Sequence, residues 1–202
     1  SDYLLPASYA EQLYYDVLLS NPSLYFVKLN YTETTCTYSE DGQYIISYDV
    51  EYYVEDTSVM DKIFSEHVEK AVAEIPVVGM HTVDQMLAIH EYIANNVDKT
   101  DSLETVTDDM LCSSAYGALV YGCADSLGYA LLNMLLAERI TGNECIVVSD
   151  ADKTSYWNMY HLNGNWYNID VYSDDIESFY VNADQTVTDV YNIGSVRNHI
   201  YF

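Results

Sequence analysis

One stretch constrains this chain more than any other: the apolar run from Asp125 to Ile140, closed by Thr141-Gly142. Asp125 is of the type that caps a helix N-terminus, and Gly142 suits the left-handed residue that follows a helix. The run predicts one long helix, and its apolar surface has to be covered by other elements. The residues that follow supply a sheet. Cys145–Ser149 reads as a buried strand, and Tyr156–Leu162 with 166–171 reads as a hairpin around Asn163-Gly164. That dipeptide accepts the positive φ angles of a two-residue turn.

Upstream, residues 7–20 place Leu13, Val17 and Leu18 at helical spacing and end at Asn21-Pro22. Strand-like runs follow at 24–31, 32–38 and 44–54, with Glu40-Asp41-Gly42 turning the chain between the last two. Alternation puts Tyr44, Ile46, Tyr48 and Val50 on one face. Ser58-x-x-Asp61 and Thr82-x-x-Gln85 resemble capping boxes, so helices are predicted from Ser58 to before Pro76 and from Thr82 to near Asn95-Asn96. The second would carry Met86, Ile89 and Ile93 as one stripe. Residues 98–109 read as an irregular polar loop, and 114–120 as a short turn of helix. The tail from 178 to 202 has mixed strand-like pieces and no readable chemistry.

Charge excludes several function classes. With 32 acidic and 7 basic residues the formal net charge is −25, so no basic patch exists to displace counterions from a phosphate backbone, and no nucleic-acid partner is expected. Anionic lipid surfaces are disfavoured for the same reason. No apolar run approaches the ~18–20 residues of a membrane span, and no membrane insertion is expected. The charge serves solubility, or else a cation or cationic partner, but no loop has the D-x-[DN]-x-[DN]-G-x5-E pattern of a built calcium site. No metal site and no cofactor are expected. The chain opens at Ser1 without a signal-peptide pattern and is expected to be a mature or trimmed piece of a longer protein.

Its 22 tyrosines fit strand-rich packing, or a surface that contacts sugars or proteins. Cys36, Cys112, Cys123 and Cys145 form no zinc spacing. Four cysteines allow three full pairings, and buried free thiols are an equal reading. His90-Glu91 is followed by Ala94, so H-E-x-x-H zinc geometry fails, and His90 is expected to pack or hydrogen-bond in the interior. His67 and His81 are expected at solvated helix ends.

Three blocks, in this order, resemble the bacterial transglutaminase-like domains, relatives of the papain-like cysteine peptidases. Ile89-His90-Glu91-Tyr92-Ile93 resembles the helix preceding their core. Ala115-Tyr116-Gly117-Ala118-Leu119-Val120 through Gly128-Tyr129-Ala130 resembles their nucleophile segment. Trp157-Asn158, Gly164, Trp166-Tyr167, Asp170 and Asp174-Asp175 resemble their base and acid hairpin. The resemblance covers roughly residues 82–175. It implies an α+β fold: a transglutaminase-like, papain-like core in which a long helix packs on an antiparallel sheet, with an N-terminal helix-plus-β-hairpin extension. Residues 1–80 are expected to form that extension and 81–202 the core domain.

The family pattern puts Cys at Ser126, His at Ser155 and Asp at Asp170, and only Asp170 matches. A thiol at a helix N-terminus gains from the dipole because its reactive form is an anion. A serine hydroxyl hardly ionises near neutral pH and needs a positioned base, and position 155 offers another hydroxyl. Losing nucleophile or base alone costs on the order of 10⁶-fold in a serine protease whose triad acts as a unit. Rescue by Cys123 and His161 is disfavoured. Six strand residues span roughly 20 Å, and a two-residue turn at Asn163-Gly164 pairs His161 with Trp166 and Trp157 with Asp170. The expectation is therefore a catalytically inactive domain of a secreted or cell-surface bacterial protein. It would bind or scaffold a peptide, protein or cell-wall ligand at Ser126, Ser155 and Asp170, with Trp157, Tyr129 and Asp125 as ligand contacts. The competing classes are an active cysteine peptidase or acyltransferase using Cys123 or Ser126 with another base, and a carbohydrate-binding module.

Overall fold

The computed structural model describes residues 4–26, 32–52, 56–100, 107 and 111–175. The expected tail pieces, most of the 98–109 loop and residues 27–31 lie outside them. The elements run in chain order as a 3-10 turn (Ala7–Tyr9), α1 (Ala10–Leu19), β1 (Thr32–Tyr38), β2 (Ile45–Tyr52), α2 (Ser58–Glu74) and α3 (Thr82–Asn96). Next come β3 (Asp98–Lys99), a π-helical turn (Gly117–Tyr121), β4 (Cys123–Ala124), α4 (Ser126–Thr141), β5 (Cys145–Ser149), β6 (Tyr156–Leu162), β7 (Asn165–Ile169) and α5 (Val171–Asp174). Helices and a sheet share the core, so the class is α+β as expected. No helix among the described residues is long and apolar enough to cross a membrane.

The predicted long helix forms at α4. Asp125 caps it by accepting from the Gly128 amide at 3.0 Å, and Gly142 ends it at φ +68°. Tyr129, Leu132 and Leu136 on α4 are fully buried together with Ile89 and Ile93 of α3. Phe64, Val68 and Ala71 of α2 join the same cluster. Gly128 is required by a close approach: a Cβ there would stand 2.3 Å from the Cys112 carbonyl oxygen.

The three-stranded antiparallel sheet has the order β5-β6-β7. Its β6–β7 register pairs Asn158 with Ile169 and His161 with Trp166, the register a two-residue turn dictates. Asn163 and Gly164 take φ +52° and +80°. Alternation sends Asn158, Tyr160 and Ile169 inward. Two buried amides join sheet to helix: Asn133 Nδ2 donates to Asn158 Oδ1 at 2.9 Å, and Asn158 Nδ2 donates to the Ala130 carbonyl at 2.9 Å.

Several expectations are corrected. Residues 24–26 lie in a turn rather than a strand, and Tyr25 instead stacks on Tyr116 at 4.6 Å between ring centroids. Residues 98–99, expected in the loop, pair in parallel with 123–124. The stripe 44-46-48-50 breaks at its start: Ile45 is buried and Ile46 exposed. The register shifts between Thr37 and Tyr38, and the 5–7 segment bonds to 43–45 on the other side. Both helices begin where predicted, but neither box forms. Ser58 and Thr82 are first helical residues, not caps; Asp56 accepts from the Ser58 amide at 3.0 Å, and the Thr57 hydroxyl donates to Asp61 at 2.9 Å. His67 sits inside α2, its ring 2.8 Å from the Ile63 carbonyl, not at a helix end.

Candidate active site

Ser126 opens α4 and is half-buried. Its Oγ accepts a hydrogen bond from the Tyr156 amide at 3.3 Å. The fold therefore brings the start of β6 to the start of the long helix. Ser155, the residue before, is exposed and belongs to a turn organised by Asp150. That carboxylate accepts from the Thr154 amide at 2.7 Å, the Thr154 hydroxyl at 2.6 Å and the Ser155 amide at 3.2 Å. The Thr154 bonds first, then the other amides, hold the Asp150 carboxyl below its ordinary value of 3.8.

Asp170 follows β7 at the position opposite Trp157 by register, yet it serves its own backbone. It caps α5 by accepting from the Ser173 amide at 3.0 Å. Trp157 turns its indole N–H to Asn168 Oδ1 at 3.0 Å. The structure thus brings the 126 and 155–156 positions together, while the Asp170 carboxylate is spent on a helix cap. Asp125 lies beside Ser126 and also accepts from the Ser113 hydroxyl.

Tyr129, expected as a ligand contact, is instead a core residue, 1% exposed. Its hydroxyl donates within a buried cluster, 2.6 Å from Asp175 Oδ2 and 2.5 Å from the Val97 carbonyl. Positions 126 and 129 share a face of α4; Ser126 is the first residue of the helix, and Tyr129 lies one turn further in, where that face is buried. Tyr14, Tyr25, Tyr116 and Tyr160 are buried as well, whereas Tyr38, Tyr44 and Tyr121 are exposed, so the tyrosines are divided between packing and surface.

Thiols and imidazoles are placed elsewhere. Cys123 is joined to Cys112 in a disulfide, which removes the thiol proposed for rescue. Cys145 is buried, and that burial pushes its thiol up from its ordinary value of 9.0. Cys36 is half-exposed on β1. His161 stacks on Trp166 at 4.9 Å, near the turn and away from Ser126. His90 is buried with Nε2 3.3 Å from Asp174 Oδ2, as an interior residue; its Nδ1 has no hydrogen-bond partner among the described residues.

Sequence reasoning missed Tyr156 and Asp150. Asp150 was findable, because an Asp four residues before a Thr-Ser pair in a loop is a turn signal. Tyr156 acts through its backbone amide and carries no signal. Burial first, then Tyr15, Asp125 and Asp150, raises its phenol above the ordinary 10.0.

No protein-family model matches the chain, and no curated protein matches it significantly. Among solved structures it is similar to one described as a TGase, at 14% identity and a TM-score of 0.40, over 72% of this chain and 45% of that one. It is also similar to a proposed cysteine protease from Cytophaga hutchinsonii, at 11% identity and a TM-score of 0.38, over 72% and 68% of the two chains. The chain thus spans less than half of the TGase structure, and at these scores neither likeness bears on activity.

Proposed function

We propose that this chain is a non-catalytic, transglutaminase-like domain of a secreted or cell-surface bacterial protein, which binds or scaffolds a peptide or cell-wall ligand. One observation carries the reading: the hydroxyl at the nucleophile position, Ser126, is engaged by the Tyr156 amide rather than by a base. The four histidines among the described residues sit in other places: His67 within α2, His81 before α3, His90 against Asp174 and His161 on Trp166. The disulfide at Cys112–Cys123 fits the oxidising compartment that a secreted protein meets.

The test is an amidase and transamidase assay of the wild-type chain on glutaminyl and cell-wall peptides. Release of ammonia or amine should stay at the buffer rate, and Ser126→Ala should leave it unchanged. Turnover that Ser126→Ala abolishes would overturn the reading.

A further inference from the structure

An antiparallel sheet packed on one side alternates apolar inward residues with polar outward ones. The outer face of β5-β6-β7 departs from that pattern. α4 covers the inner face, where Asn158 and Tyr160 are buried. The outward positions include Ile146 on β5, Trp157, Met159 and His161 on β6, and Trp166 and Asn168 on β7. Register sets Ile146, Met159 and Asn168 side by side, and His161 beside Trp166. Ile146, Trp157, Met159 and Trp166 stand apart from the core cluster, and Ile146 and Trp166 are 37% and 40% exposed. α1 meets this sheet at β5 and at the turn beyond it, where the Lys153 ammonium lies 3.6 Å from the centroid of the Tyr15 ring. Trp166 and Asn168, on β7, remain exposed. The chain has only two tryptophans, and both are on this face. Each is held by a neighbour: the Trp157 indole N–H donates to Asn168 Oδ1 at 3.0 Å, and Trp166 stacks on His161 at 4.9 Å between centroids. Rings fixed in advance lose little freedom when a ligand lies on them.

Size and charge select the occupant. From Trp157 to His161 the track runs about 13 Å along the strand, and β5 to β7 is about 10 Å across. That area falls far short of the roughly 800 Å² per partner of a stable protein interface, so a second copy is disfavoured. An apolar small molecule needs a concave pocket, whereas this is an open sheet face. The chain carries a net charge of −25, yet His161 is the one ionisable group among these outward side chains, with the Glu144 carboxylate 3.7 Å from its Nδ1. We propose that the outer face of β5-β6-β7 is a platform for an uncharged oligosaccharide laid along Trp157, Met159 and Trp166. The C–H faces of the sugar rings rest on the electron-rich indole faces, and the Asn168 amide and Glu144 carboxylate bond hydroxyls at the rim. The platform is separate from the Ser126 position and does not rest on the non-catalytic reading.

Because both tryptophans stand on this face, their emission reports it directly. The full chain is titrated with cellotetraose, chitotetraose and maltotetraose, and at least one should shift the emission saturably. Calorimetry then reads the variants. Trp166→Ala should weaken binding about tenfold or more, a loss of about 1.4 kcal/mol, while Trp166→Tyr keeps a ring and should lose less. Met159→Glu puts a carboxylate in the middle of the track and should abolish binding. It carries the test if Trp166→Ala disturbs the far-UV circular dichroism. Tyr121→Ala removes an exposed aromatic ring from the π-helical turn and should change nothing. A flat titration with all the sugars, or binding that Trp166→Ala and Met159→Glu leave intact, overturns the platform. So does a concentration-dependent dimer in sedimentation velocity that Met159→Glu dissolves, which would give the face to a second copy. Those outcomes leave the non-catalytic reading standing, because turnover of the wild-type chain is read separately.

Discussion

Two groups of polar residues are built on the same helix and sheet, and they are treated differently. Between α3, α4, β6 and α5, polar side chains meet one another out of solvent. His90 meets Asp174, Tyr129 meets Asp175, and Asn133 meets Asn158. At the helix start, Ser126, Ser155 and Asp170 are half-buried or exposed; Ser126 and Asp170 accept from the Tyr156 and Ser173 amides, and the Ser155 amide donates to the Asp150 carboxylate. In the first group every partner depends on another element, so losing one strands the rest in a place water cannot reach. In the second, water can replace a lost bond. The first group is interlocked across elements, whereas among the described residues no hydrogen bond joins Ser126, Ser155 and Asp170 to one another.

The comparison can be broken by substitution. Asn158→Leu removes the amide shared by Asn133 and the Ala130 carbonyl, and it should cost about 3 kcal/mol in urea unfolding, since buried unpaired groups cost roughly 1–3 kcal/mol each. Tyr129→Phe removes one hydroxyl facing Asp175 and Val97, and should cost about 2 kcal/mol by the same measure. Asp170→Ala removes a helix cap and should cost about 1 kcal/mol, while exposed Ser155→Ala should stay within about 0.5 kcal/mol. If the Ser126–Ser155–Asp170 edge were an interlocked unit, those last two values would match the first two.

The smallest effect is a titration. The folded Asp150 carboxyl lies below its ordinary 3.8, so its contribution to stability is complete above that value. It is lost as pH falls through the lower folded value. An NMR titration of the Asp150 carboxyl carbon should give a midpoint below 3.8. A midpoint at or above it would remove the clamp from the Ser155 turn.

Elements with a local signal were legible in the sequence. The α4 boundaries followed from Asp125 and Gly142, and the β6–β7 register followed from Asn163-Gly164 and correctly set His161 opposite Trp166. The strand expected at 24–31 failed over 24–26, because Tyr25 finds Tyr116 and Phe64, which are distant in the chain. The capping boxes failed because each helix starts one residue earlier than a capping Ser or Thr requires, with Thr57 and His81 at the cap positions. Tyr129 was misplaced beside a ligand because its type fits a surface as well as a core.

The sequence by itself determined that positions 126 and 155 hold hydroxyls and that position 170 holds a carboxyl. Turn and cap chemistry act over a few residues, so they also fixed the helix and hairpin that carry those positions. Only the tertiary structure decided that Cys123 is bonded to Cys112, that His90 meets Asp174 from 84 residues away, and that Lys153 rests on Tyr15. Those choices depend on which elements come together after the chain has collapsed, and no short window of residues encodes them.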